Sequence, residues 1–158
     1  MKKRVGFVLL GISVLLNIVL AGFLFGKVTV DSKDAKLLYE QAVAQLEQAV
    51  SSDYTPLLKH EEKNPTKFLH LAGTRINLAY LNFTKLQHQF DIYGVSVQPV
   101  LNAVQTLSDK SNQFFKEEIN DGEVQELIQT TTAIVDQLPK HYDVGEIRKA
   151  VKNFKIVR

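Results

Sequence analysis

The sequence predicts an all-α protein: an N-terminal transmembrane helix followed by an extracytoplasmic antiparallel helical bundle with four principal helices and some short ones. Three observations predict it. Lys2, Lys3 and Arg4 precede an uncharged run from Val5 to Gly26. Beyond that run, apolar residues recur at three- and four-residue intervals, in segments bounded by Pro, Gly, Asn and Asp. No strand-like alternation competes with them past Val28-Thr29-Val30. The resulting organisation is a cytoplasmic N-terminus at 1–4, a signal-anchor helix at 5–26, a stalk at 27–30 and a bundle domain at 31–158.

The first element follows from length and charge. The 22 residues of the uncharged run reach about 33 Å as a helix, enough to cross the hydrocarbon core of a bilayer. Three cations ahead of the run, with no acidic residue before Asp31, place the N-terminus in the cytoplasm and the remainder outside. The rival reading is a cleaved signal peptide, because Val19-Leu20-Ala21 resembles a cleavage site and would release a secreted domain. The apolar run continues through Gly22-Phe23-Leu24-Phe25 without a polar region before the cut, which favours a retained anchor. Ser13, Asn17 and Ala21 form one small or polar stripe on this helix, and Gly22 and Gly26 add a GxxxG spacing on a neighbouring face. A partner helix that hydrogen-bonds Asn17 in mid-membrane contributes about 0.5–2 kcal/mol, so the stripe is a candidate interface with another membrane protein or a second copy.

Asp31 can cap the first bundle helix, in which Ala35, Leu38, Ala42, Leu46, Ala49 and Val50 share a face. Ser51-Ser52-Asp53 is expected to end it, and Thr55-Pro56 has the N-cap and first-turn chemistry of a short helix halted at Asn64-Pro65. The longest element runs from there to about Tyr93, with Gly94 as its stop. Leu69, Ala72, Ile76, Ala79, Phe83, Leu86, Phe90 and Tyr93 are spaced alternately three and four apart, a coiled-coil-like seam that Leu71 and Leu78 widen. Ser96 caps the next helix, whose buried side is Val97, Val100, Leu101, Val104, Leu107, Phe114, Phe115 and Ile119. Asn120 with Glu123 resembles a capping box for a helix that turns Val124, Leu127, Ile128, Thr131, Val135 and Leu138 inward and ends before Pro139. Asp143 with Glu146 repeats the pattern for a last helix carrying Val144, Ile147, Val151 and Phe154.

Composition narrows the function. Of the formal charge of +2, Lys2, Lys3, Arg4 and Lys27 supply four positive charges, so the exported part carries −2. That balance removes the electrostatic case for nucleic-acid binding. The chain has no cysteine, which excludes disulfides, thiolate zinc sites, cysteine nucleophiles and a lipoprotein acyl anchor. Four scattered histidines, His60, His70, His88 and His141, have no ligand-spaced histidine or nucleophile motif nearby. Glu117, Glu118, Asp121, Glu123 and Glu126 cluster around Gly122, but an EF-hand register would put Ile119 and Ile128 where oxygen ligands are required. No catalytic residue, metal or cofactor is expected.

The C-terminal stretch is basic. From Lys140 onward six cations stand against Asp143 and Glu146. Arg148, Lys149, Lys152, Lys155 and Arg158 form a candidate partner surface, while Ile147, Val151 and Phe154 line the other side of the same helix. The apolar side is expected to complete the bundle, leaving the cations for a partner. The function these features favour is non-enzymatic: a membrane-anchored interaction protein, an accessory subunit or scaffold at the outer face of a bacterial membrane, bound to a membrane or envelope protein or to itself. The alternative is a ligand-sensing bundle with a cavity among Phe83, Phe90, Tyr93, Phe114 and Phe115, signalling through a membrane partner.

Overall fold

The computed structural model describes residues 16–21, 33–59, 65–91, 94–113 and 120–155. Of these 87 % are helical and none is in a strand, so the protein is all-α. The chain divides into two compact units, Met1–Ala35 and Lys36–Arg158. In the first, 16–21 is helical, and Leu16, Ile18, Val19 and Leu20 are exposed. The rest of the expected membrane span at 5–26 and the whole 27–30 stalk lie outside the described residues. Among those residues no helix is long and apolar enough to cross a membrane.

The second unit is a helical bundle. Its elements are α1 (33–48) from Lys36 onward, a π-helical turn (Ala49–Tyr54), α2 (Thr55–Leu58), α3 (Pro65–Asp91), α4 (Gln98–Gln113), α5 (Asp121–Asp136) and α6 (Val144–Asn153). Contacts close a ring: α3 packs on the π turn and on α4, and α5 packs on α4, on α2 and on the π turn. Cross-links show that sequential helices run antiparallel. Arg75 reaches Asp53, Ser108 reaches Asn77 and Lys110 reaches Glu126, each pair straddling the connection between its two helices.

Apolar spacing sets which faces meet. On α3, Leu69, Ala72, Ile76, Ala79, Phe83, Leu86 and Phe90 are all buried; Tyr93 lies outside the described residues. Leu78, expected to widen that seam, is 44 % exposed and Leu81 52 %. Leu78 falls at least 60° round the helix from every seam residue, beyond the reach of the two helices that cover the seam. Gly94 ends α3 with φ +63°, its N–H donating to the Asp91 carbonyl and that of Val95 to Phe90, a Schellman closure.

The expected break at Ser51-Ser52-Asp53 is absent. The helix runs on through a wider turn, in which the Thr55 N–H reaches the Val50 carbonyl five residues back. Thr55 itself has helical angles and is no N-cap. The physical reason is Pro56. It has no N–H for the carbonyl four residues earlier and its ring crowds that carbonyl; a π turn just ahead relieves the crowding without ending the helix. Thr55 Oγ1 donates a second bond to Val50, at 2.7 Å.

At α5 the capping box is complete, with Glu123 N–H donating to Asn120 Oδ1 and Asn120 N–H to Glu123 Oε2. Ile134 is buried where Val135 was expected to be the inward residue; Val135 is half-buried. Asp143 Oδ1 takes the Glu146 N–H and starts α6, whose Ile147 and Val151 are buried.

Candidate functional site

Two regions of the second unit hold its chemistry, one at each end of the bundle. The first surrounds the π turn. By widening the helix, the turn directs Asp53 and Tyr54 inward together, and both are buried. Asp53 Oδ2 accepts from Arg75 Nε at 2.7 Å, and Arg75 Nη1 also donates to Gln48 Oε1. Burial pushes the Asp53 carboxyl above the usual carboxylate range, and the charge and hydrogen bond of Arg75 offset part of that rise. Tyr54 shares a hydrogen bond of 3.0 Å with Ser111 on α4. Burial drives its phenol up to about 12, Ser111 pulls against the shift and the Asp53 charge adds to it. Ser108 donates to Asn77 nearby, at 2.5 Å. These groups satisfy one another, which makes them a set of polar clamps between helices and not a pocket.

The second region is the opposite end, where α1 begins, α3 ends and α6 lies. Tyr39 donates to the Pro139 carbonyl at 2.6 Å, and its ring meets Phe83 and Tyr142 edge-on at 6.3 and 6.1 Å. Tyr142 also stacks on Phe90, at 6.1 Å. Burial, with a smaller effect of the Glu146 charge, keeps the Tyr39 phenol protonated far above its ordinary range. Of the five aromatic residues expected around a ligand cavity, Phe83 and Phe90 thus pack against Tyr39 and Tyr142, and Tyr93 lies outside the described residues. Phe114 and Phe115 lie outside the described residues.

Next to this aromatic cluster is an open cleft of about 670 Å³. Ser96, just ahead of α4, and Gln98 and Asn102 near its start line one wall, and Arg148 and Lys152 of α6 the other. Two side-chain bonds fix α6 there: Gln137 Nε2 donates to the Lys155 carbonyl and the Lys155 N–H donates to Gln137 Oε1. With Ile147 and Val151 turned into the core, the outer side of α6 presents Arg148, Lys149, Lys152 and, just beyond it, Lys155, all exposed.

The sequence-predicted positions therefore fall in three groups. The cations of α6 come together on one face, with Arg158 outside the described residues. The seam residues of α3 are core. On the N-terminal stripe, Asn17 and Ala21 lie in the helical stretch 16–21, whereas Ser13, Gly22 and Gly26 lie outside the described residues. His70, His88 and His141 are exposed, and among the described residues no group of three His, Asp or Glu could hold a metal ion. The Asp53–Arg75–Gln48 clamp went unread in the sequence because its members lie 22 and 27 residues apart; the one local signal was a proline shortly after an acidic residue on an otherwise continuous helical pattern. No family model, curated protein or solved structure matches the chain.

Proposed function

We propose that this is a single-pass membrane protein in which 5–26 anchors an extracytoplasmic helical bundle, and that the bundle serves as an accessory subunit or scaffold for a membrane or envelope protein. The observation that carries the reading is the uninterrupted uncharged run behind Lys2, Lys3 and Arg4. The described part of that run adds support: Leu16, Ile18, Val19 and Leu20 are 55–65 % exposed on a helical stretch, a surface suited to lipid or to a neighbouring helix. The bundle itself favours an interaction role over chemistry, because Asp53, Arg75, Tyr54 and Ser111 are engaged with one another inside it.

The test is extraction of native membranes with alkaline carbonate, followed by in-membrane cross-linking of the full-length protein and mass spectrometry of what it captures. Retention in the carbonate pellet and one dominant stoichiometric partner are the expected results. Release into the supernatant would overturn the anchor, and capture of nothing would overturn the accessory role.

A further inference from the structure

We propose that the cationic face of α6, together with the cleft beside it, docks on the anionic phospholipid headgroups of the bilayer that holds the anchor. The inference rests on the membrane-anchored reading above and names a second attachment for the bundle.

Position is the first support. The bundle end that carries α6 is also the end where its first helix starts, since Tyr39 is bound to Pro139 and packed on Tyr142 just ahead of α6. The ten residues from Lys27 to Lys36, nine steps of chain, can extend to no more than about 30 Å. The chain that links the bundle to 5–26 therefore enters the bundle at the end that carries α6. Charged groups feel an anionic surface only within a Debye length of about 8–10 Å, a distance the tether allows.

Charge complementarity is the second. Lys149, Lys152 and Lys155 are exposed and make no ion pair with a described carboxylate. The acidic residues of this segment, Asp143 and Glu146, sit at the start of α6, where Asp143 caps the helix. Each cation near an anionic leaflet favours docking roughly five-fold. The cleft is the third: it lies open beside α6, and polar side chains line both of its walls. It sets Lys152, suited to a phosphodiester, opposite Ser96, Gln98 and Asn102, suited to a polyol headgroup. Because Ile147 and Val151 are buried in the bundle, the attachment is electrostatic and leaves α6 outside the hydrocarbon.

The absence of native cysteine makes single-site labelling clean. Full-length protein carrying Asn102→Cys, in the cleft, or Gln113→Cys, at the far end of α4, is reconstituted into phosphatidylcholine vesicles with and without about one-third phosphatidylglycerol. Quenching of the fluorescent label by a headgroup-nitroxide lipid reports proximity. The cleft label should be quenched several-fold more strongly when phosphatidylglycerol is present, and the far label should not change. Replacing Lys149, Lys152 and Lys155 by Gln, with Arg148 kept, should lower the docked-to-undocked ratio roughly 100-fold and return quenching to its neutral-lipid value. Equal quenching of the cleft label in both bilayers, or full retention in the triple variant, would overturn docking. A carbonate wash of the same vesicles separates the two readings. If the wash strips the protein, the anchor reading fails, and docking is then judged by flotation without the wash: recovery with phosphatidylglycerol vesicles alone sustains it, and recovery with neither vesicle overturns it.

Discussion

Asp53 is 2 % exposed, so its ionised form depends on Arg75. Its proton affinity in the fold lies above that in the unfolded chain because burial outweighs the pairing. For a carboxyl shifted upward, the folded state binds the extra proton. The group's contribution to stability is full below its unfolded pKa, near 4, and is lost as pH rises through the folded value. Replacing Arg75 with Met strips away the charge and the hydrogen bond that moderate the rise. It should cost about 3 kcal/mol near neutrality, the lower end for a broken buried pair because Arg75 is partly exposed. The loss should shrink towards pH 4, where Asp53 can take its proton. Urea unfolding of both proteins at the two pH values measures this, and an equal loss at each would exclude Asp53 as its source. Gly94 offers a cleaner case. A Cβ there meets nothing within 4 Å, so Gly94→Ala carries only the backbone strain of φ +63°, about 1 kcal/mol. A larger loss in the same assay would mean that the turn has other duties.

Within an element, burial follows angular position so closely on α3 that two changes on one helix should differ sharply. Phe83→Ala opens a cavity in the core, where Phe83 is 1 % exposed, and should cost about 3–5 kcal/mol. Leu78→Ser, on the exposed side, should stay within about 0.5 kcal/mol. Comparable losses would show that Leu78 is covered in solution, as a dimer would cover it. This face was readable from the three-and-four spacing because a seam is a local, repeating signal. The caps were readable as well: Asn120 and Glu123 satisfy each other's N–H over three residues, and Asn120→Ala should cost about 1 kcal/mol in the same unfolding measurements. The π turn was not readable. Ser51, Ser52 and Asp53 favour turns when exposed, and only the distant Arg75 makes a buried Asp53 tolerable. Pro56 signals an interruption in either case; whether the chain breaks or widens is decided by what the next helices supply.

At the scale of the molecule, the bundle is a closed ring with α6 laid over one end, and that placement separates two uses of a basic amphipathic helix. The sequence made both available: the alternation of Ile147 and Val151 with Arg148, Lys149 and Lys152 fits insertion into a bilayer as well as it fits packing on a core. The cleft was beyond reach of pattern reading, because its walls come from 96–102 and 148–152, segments far apart in the chain. The two uses diverge for Ile147→Ala. For a helix that inserts, the substitution weakens vesicle binding and leaves folding alone. In the arrangement seen here Ile147 is 1 % exposed, so truncation should cost about 2–4 kcal/mol and lower the thermal midpoint by about 10 °C, with phosphatidylglycerol-dependent quenching of the cleft label retained below the midpoint. Lys149→Gln should do the reverse, leaving the midpoint within about 2 °C while reducing quenching. The opposite pairing of effects would place the apolar side of α6 in lipid and remove it from the core.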